Sequence, residues 1–329
     1  MGQKKIVVTD RFSLESLLFL ERQPQIKLHK VEPHSLFSSD LLGQTHGLLI
    51  RSTTPINEEI LKKAKNLQVI ITATSGFDHI DLDATQKWGI TVMHTPNANR
   101  ESTAQLTLGL LLSCAQKINS AHRSLKEGSW RQENHLGIEL SQKTWGIVGL
   151  GRIGSRVSEL AQAFKMNVIS YDPFLSDDVF SSNGARRVSF EELLKLSDVI
   201  SFHVPKTQET YKMLGKNQFQ SIHREVILIN TSRGSVIDEE ALIWALDKKI
   251  IKGLALDVFE KEPLSRSSKL LNYTDVLLTP HIGAFTEEAF FKASQEATHK
   301  ILQFFIDGST QDTLPPKAPW HGASHFRFD

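Results

Sequence analysis

The stretch WGIVGLGRIGSRV, residues 145–157, carries Gly149, Gly151 and Gly154 in G-x-G-x-x-G spacing. The first glycine permits a tight turn, the second lets the backbone approach a pyrophosphate, and the third lets helix and strand pack closely. Phosphates at such a loop meet free amides at the positive end of the following helix. The run Trp145–Gly149 reads as a strand, and Arg152–Phe164 as the helix after it. The next strand, Asn167–Tyr171, runs into Asp172, 23 residues after Gly149. A carboxylate there accepts hydrogen bonds from ribose hydroxyls and repels a 2′-phosphate, so NAD(H) is expected over NADP(H). Asp172 has a plainer reading too, as the start of the turn Asp172-Pro173. Arg186 and Arg187 lie too far along the chain to be assigned to this pocket.

Further buried runs continue the pattern: Val199–Val204, Val226–Asn230, Gly253–Asp257 and Val276–Leu278, with helical segments between them. Six such strands match the content of a complete doubly wound nucleotide-binding domain. Upstream, Ile6–Thr9, Gly47–Ile50, Val69–Ala73 and Thr91–Met93 read as strands alternating with helical segments such as Asn57–Lys65. That alternation predicts a second parallel α/β unit. The segment Glu101–Gly128 reads as one long helix whose first half is buried, either as a core helix or as an interface helix in a dimer. A last helix is expected from Glu287 to about Ile306. The segment after Thr313, with three prolines and Trp320, has no periodicity and reads as loose.

Composition sets outer limits. The chain has 329 residues, which favours two domains. A balance of 38 Lys+Arg against 37 Asp+Glu leaves no electrostatic footprint for nucleic acid or an anionic membrane. Its longest uncharged stretch, Ser102–Gln116, is 15 residues, short of the ~20 that a membrane span needs. A single cysteine, Cys114, forbids an internal disulfide and fits a reducing compartment. The amino terminus offers neither a myristoylation signal nor a signal peptide, so a cytoplasmic location is expected. No HExxH motif or spaced His cluster points to a metal.

Four motifs stand in order: VGLGRIG at 148–154, INTSRGSVIDEEAL at 229–242, LALDVFEKEP at 254–263 and LLTPHIGAFT at 277–286. On these the chain resembles the D-isomer-specific 2-hydroxyacid dehydrogenases, from about Gly47 to Gly308. The resemblance implies an α/β protein of two doubly wound parallel-sheet domains. A Rossmann-type NAD-binding domain (100–285) would be inserted in a smaller flavodoxin-like substrate domain (1–99 and 286–329). Hinges would lie near Asn97–Arg100 and Gly283–Phe285. It also implies a homodimer, NAD as cofactor, and a catalytic set of Arg233, Glu262 and His281.

Those residue types suit the chemistry. Histidine titrates near neutrality, so it can take the hydroxyl proton in oxidation and return it in reduction. A carboxylate beside it fixes the tautomer and stabilises the imidazolium. An arginine binds a carboxylate with two prongs and polarises a ketone. Taken singly, Arg233 could cap a strand, Glu262 could be a turn residue before Pro263, and His281 is one of 13 histidines.

By the same resemblance, Arg152 and Ile153 would offer amides to the pyrophosphate. Val204 and Pro205 would line the adenosine side. Thr231 and Asp257 would address the nicotinamide, Asp257 through the carboxamide, and Thr103 and Arg233 would also contact the cofactor. Ser75 and Gly76 would hold the substrate carboxylate.

Within the family the stretch GLLIRSTTPINEEIL at 47–61 resembles phosphoglycerate-type enzymes, with Arg51 on the substrate phosphate. Departures stand beside it: Thr72 for a basic residue, Thr74 for glycine, His79 for Asn, and Gln105 for Glu. A glyoxylate or hydroxypyruvate reductase is the alternative enzyme. An NAD(H)-sensing, corepressor-like interaction protein is the alternative of another class.

Overall fold

The computed structural model describes residues 2–36 and 40–316. The chain divides into two compact units: one holds the chain through Asn99 and the returning segment from Phe285, the other runs Arg100–Ala284.

The first unit is built on strands β1 (Lys4–Val8), β2 (Ile26–Lys30), β3 (Gly47–Ile50), β4 (Val69–Thr72) and β5 (Thr91–His94). The second contains β6 (Thr144–Val148), β7 (Asn167–Tyr171), β8 (Arg186–Arg187), β9 (Val199–Phe202), β10 (Val226–Asn230), β11 (Ile251–Leu256) and β12 (Val276–Leu278). Strand β13 (Thr313–Leu314) returns to the first unit. The first sheet has the order β13-β5-β4-β3-β1-β2, parallel except for β13, which is the flavodoxin-like order with one added antiparallel edge. The second has the order β12-β11-β10-β9-β6-β7-β8 and is parallel throughout, the Rossmann arrangement.

Both sheets are covered on both faces, because alternate strand residues feed opposite apolar clusters. In the first unit Ile6, Val8 and Ile71 pack with Ala293, Ala297 and Ile301 of the helix Glu287–Asp307. Val7, Ile50 and Ile70 pack on the other face with Ile60 and Leu61 of the helix Glu58–Lys63. In the second unit Trp145 and Ile147 face Leu110 and Leu111 of the helix Arg100–Ala115, whereas Val148 and Phe202 face Leu193 and Leu242.

Two expectations are corrected. The segment 101–128 is not one helix: it breaks between Arg100–Ala115 and Ile118–Lys126, with Lys117 at φ 55°. The Ala115 carbonyl is taken by the Ile138 amide at 2.8 Å, and the Gln116 side chain donates to Ile138 O at 2.8 Å. A helix whose last carbonyls find partners outside it has no reason to continue. The segment after Thr313 is not loose at its start, since Thr313 and Leu314 pair with Met93 and Val92 and Leu314 is buried. Beyond residue 316 that expectation falls outside the described residues. Strand β2, unremarked in sequence, is an edge strand whose lysines interrupt its apolar pattern. No helix among the described residues is long and apolar enough to cross a membrane.

Candidate active site

The candidate residues of the second unit gather at the carboxyl ends of β6, β7, β9, β10, β11 and β12. The strand order reverses there between β6 and β9, where open α/β sheets bind ligands. Gly149 has φ +88°, a region that side chains rarely adopt, and a Cβ on it would stand 2.8 Å from Val204 Cγ1. A Cβ on Gly154 would overlap the Gly149 carbonyl, so the helix Arg152–Ala163 starts against the turn itself. Beside Gly151 the space is open. No side chain caps this helix, so the amides of Arg152, Ile153 and Gly154 are left for a ligand. A pyrophosphate fits these features.

Asp172 starts the turn read for it and also reaches the glycine loop. Its Oδ1 accepts from Phe174 N at 3.1 Å, which makes the turn, and its Oδ2 accepts from Leu150 N inside the glycine loop at 3.1 Å. The carboxylate is thereby fixed beside the loop, with lone pairs left for ribose hydroxyls. Arg187 pairs with Asp177 and Arg186 with Glu192. Asp172→Ala should weaken NADH about 10-fold or more, the worth of a hydrogen bond to a charged group, and relax discrimination against NADPH. Fluorescence titration with both nucleotides checks this.

Arg233, Glu262 and His281 are brought together. Glu262 Oε2 accepts from His281 Nδ1 at 2.7 Å, and its Oε1 accepts from the Phe259 amide at 3.0 Å. The bond to Glu262 raises the His281 pKa above its ordinary value, against burial and the nearby Arg233 charge. Burial pushes the Glu262 carboxyl up. The His281 bond, the Phe259 amide and the charges of His281 and Arg233 outweigh it, and the net direction is down. With its proton on Nδ1 held by Glu262, His281 keeps Nε2 for exchange with a substrate. The Arg233 Nη1 donates to Ser232 O at 2.7 Å. Asn230 steadies that loop, donating to Arg233 O at 2.9 Å and accepting from Ser232 N at 3.0 Å.

Other expected cofactor residues are committed to one another. His281 has φ +53°, and the turn that bears it is held by Asp257, whose carboxylate accepts from Ile282 N and Gly283 N at 2.8 Å and from Thr279 Oγ1 at 2.6 Å. Thr103 Oγ1 donates to Gly283 O at 3.0 Å, and Thr107 Oγ1 donates to Thr103 O at 2.8 Å. Since the Thr107 proton is used there, the 2.9 Å contact between Thr107 and Thr231 hydroxyls takes its proton from Thr231. Thr103 and Thr231 therefore face any ligand as acceptors. Val204 and Pro205 are half-buried, and the Pro205 carbonyl accepts from Thr210 Oγ1 at 2.7 Å.

Thr107, Thr279 and Asn230 were not singled out in sequence. Asn230 and Thr279 lie inside the motifs at 229–242 and 277–286, and Thr107 carried a signal in its i, i+4 spacing from Thr103.

In the first unit, Arg51 stacks over Phe290, 4.9 Å from the ring centroid. Its Nη1 is buried and, among the described residues, has no hydrogen-bond partner. Burial draws its pKa below the ordinary arginine value, with Asp10 opposing. Asp10 holds the backbone in place, accepting from Arg51 N at 2.8 Å and Thr54 Oγ1 at 2.6 Å. Ser75 and Gly76 lie on the loop after β4, and the Ser75 carbonyl is 2.9 Å from His94 Nδ1.

The glycine cradle on a doubly wound sheet defines the Arg100–Ala284 unit as a dinucleotide-binding unit. Residues 108–283 match the model of the D-isomer specific 2-hydroxyacid dehydrogenase, NAD binding domain. The chain belongs to the D-isomer-specific 2-hydroxyacid dehydrogenase family, as the four ordered motifs indicated. It is 44% identical over 242 residues to a D-3-phosphoglycerate dehydrogenase of Archaeoglobus fulgidus, covering 74% of this chain and 46% of that one. The chain spans about half the length of the curated relatives it matches.

Two solved structures are similar over nearly their whole length. One is a D-lactate dehydrogenase from Aquifex aeolicus complexed with NAD and lactic acid, with TM-score 0.80 and 32% identity, covering 93% of this chain and 96% of that one. The other is a glyoxylate reductase from Paecilomyes thermophila, with TM-score 0.86 and 26% identity, covering 96% and 99%.

Proposed function

We propose that this protein is an NAD-dependent dehydrogenase of D-2-hydroxy acids, acting on 3-phosphoglycerate and 3-phosphohydroxypyruvate. The observation that carries the dehydrogenase reading is the 2.7 Å His281–Glu262 bond with Arg233 beside it, past the strand ends of the NAD-binding unit. NADH, when bound, supplies the hydride for reduction of the 2-oxo acid. His281 holds a proton at Nε2 for the carbonyl oxygen and takes it back in oxidation, while Glu262 stabilises the imidazolium. Arg233 binds the carboxylate and polarises the carbonyl. The loop at Ser75 and Gly76 supplies amides to the substrate carboxylate.

The phosphorylated substrate is supported by Arg51, whose buried, unpartnered Nη1 calls for an anion. Arg51→Ala should reduce kcat/KM for 3-phosphohydroxypyruvate about 100-fold, equal to roughly 2.7 kcal/mol, and leave hydroxypyruvate nearly unchanged. Equal losses on both acids would take Arg51 off the phosphate. A glyoxylate or hydroxypyruvate reductase is the second reading. It is favoured by Thr72, which puts an uncharged hydroxyl where phosphoglycerate-type enzymes carry a base.

A homodimer fits the arm after the Lys117 break. The helix Ile118–Lys126 has no buried residue and exposes Ile118 and Leu125, and Trp130 and Leu136 follow at 79% and 83% exposure. Apolar surface of this kind marks an interface. Trp130→Glu with Leu136→Glu should halve the mass seen by light scattering, provided the wild type is dimeric. The half-buried, free Cys114 fits a reducing, cytoplasmic setting.

A further inference from the structure

The loop after β4 contains a chain of hydrogen bonds whose direction can be worked out. Thr74 Oγ1 donates to the Gly76 carbonyl at 2.7 Å. That uses its only proton, so the 2.6 Å contact between the Thr72 and Thr74 hydroxyls takes its proton from Thr72. Thr72 then has only lone pairs left for His79 Nε2, 3.1 Å away, so that nitrogen carries hydrogen. The result runs one way, from His79 Nε2–H through Thr72 and Thr74 to Gly76 O. Thr72 is fully buried, where a hydroxyl pair without a proton between them would be costly.

A second side chain acts on the same loop. A carbonyl only accepts, so His94 Nδ1 donates to Ser75 O. Two consecutive carbonyls, Ser75 and Gly76, are thus each held by a side chain. In a trans peptide the N–H points opposite to the carbonyl of the same plane. The amides of Gly76 and Phe77 are therefore aimed away from these anchors. Among the described residues, no acceptor pairs with the N–H groups of Ser75, Gly76 or Phe77. Backbone amides left without acceptors are available to an anion.

We propose that His79, Thr72 and Thr74 are positioning residues: their one-way relay fixes the direction in which the Gly76 and Phe77 amides meet a substrate carboxylate. This rests on the reading of that loop as the carboxylate site. It also gives one physical role to three residues that depart together from the family pattern.

Two measurements on the full chain test it. Long-range proton–nitrogen correlation at pH 8, with His79→Asn used to assign the resonance, should show neutral His79 protonated on Nε2. A proton on Nδ1 instead overturns the relay, whatever the substrate. In kinetics, Thr74→Val keeps the shape and removes the proton. It should raise KM for the preferred 2-oxo acid about 10-fold, with kcat and the NADH Kd within about twofold. Thr74→Ser should restore KM, and Thr72→Val with Thr74→Val should be no worse than the poorer single variant, because one break disconnects the chain. An unchanged KM in Thr74→Val with NADH binding intact overturns the proposal. Absence of turnover by the wild type on every 2-oxo acid would instead remove the dehydrogenase reading, and the His79 tautomer would still judge the relay.

Discussion

His281→Ala should lower kcat for 2-oxo acid reduction about 1,000-fold, roughly 4 kcal/mol in the barrier, with the NADH Kd unchanged. The size follows from what the side chain does. Without an imidazole, the developing alkoxide must take its proton from water, and the Glu262 carboxylate loses its partner 2.7 Å away. Hydride donation itself does not pass through His281, which is why nucleotide binding should survive. The neighbouring variant sharpens the assignment. Glu262 holds the His281 pKa up, so wild-type His281 stays protonated to a higher pH than a free imidazole would. Reduction requires that proton, and kcat/KM should fall as pH rises through the raised pKa. In Glu262→Gln the bond and the charge that raise it are lost, and the falling limb should move to lower pH. A limb that stays in place would mean that another group supplies the proton.

Gly154→Ala should cost about 3 kcal/mol of stability and abolish measurable NADH binding. The added methyl would overlap the Gly149 carbonyl, a backbone atom that cannot swing aside as a side-chain tip can. Relief requires the helix Arg152–Ala163 to retreat from the turn. The amides of Arg152 and Ile153 then leave the position where they meet phosphates. The melting temperature of the second unit should fall by roughly 6–12 °C. Calorimetry and nucleotide titration on the same sample separate the two effects. A variant with normal Tm and normal NADH affinity would show that the loop does not depend on this close approach.

The parts of this molecule that were legible in sequence are those where one residue type has little freedom. Gly149, Gly151 and Gly154 are readable because each spacing answers to one contact in the turn. The buried strands of the second unit are readable because they are covered on both faces and so are apolar throughout. Asn167–Tyr171, Val226–Asn230 and Val276–Leu278 were bounded to the residue. The break at Lys117 was illegible because its cause lies in Ile138, more than twenty residues on, which takes the carbonyl the helix would have used. Edge strands β2, β8 and β13 were missed because an edge carries charge and needs little length.

At the site, the resemblance pointed to Arg233, Glu262 and His281, but not to what holds them. Asp257 was read as a cofactor contact, and its carboxylate holds the turn that presents His281. Thr107 reaches Thr231, 124 residues on, and Asn230 acts by bonding the backbone of the Ser232–Arg233 loop that follows it. Lys300 is the extreme case. A lysine in the last helix is buried and donates to His94 O at 2.5 Å and to Asp312 at 2.8 Å, pairs that no local pattern announces.

The most direct test of the central claim is the loss of NADH absorbance at 340 nm with 3-phosphohydroxypyruvate, hydroxypyruvate, glyoxylate and pyruvate offered separately. The hand of each chiral product would be determined by chiral separation. NADH should be oxidised stoichiometrically, with formation of the D-2-hydroxy acid from at least one chiral-product substrate, fastest with the phosphorylated one. NADH binding without turnover of any of the four, or a product of the L hand, would contradict that claim.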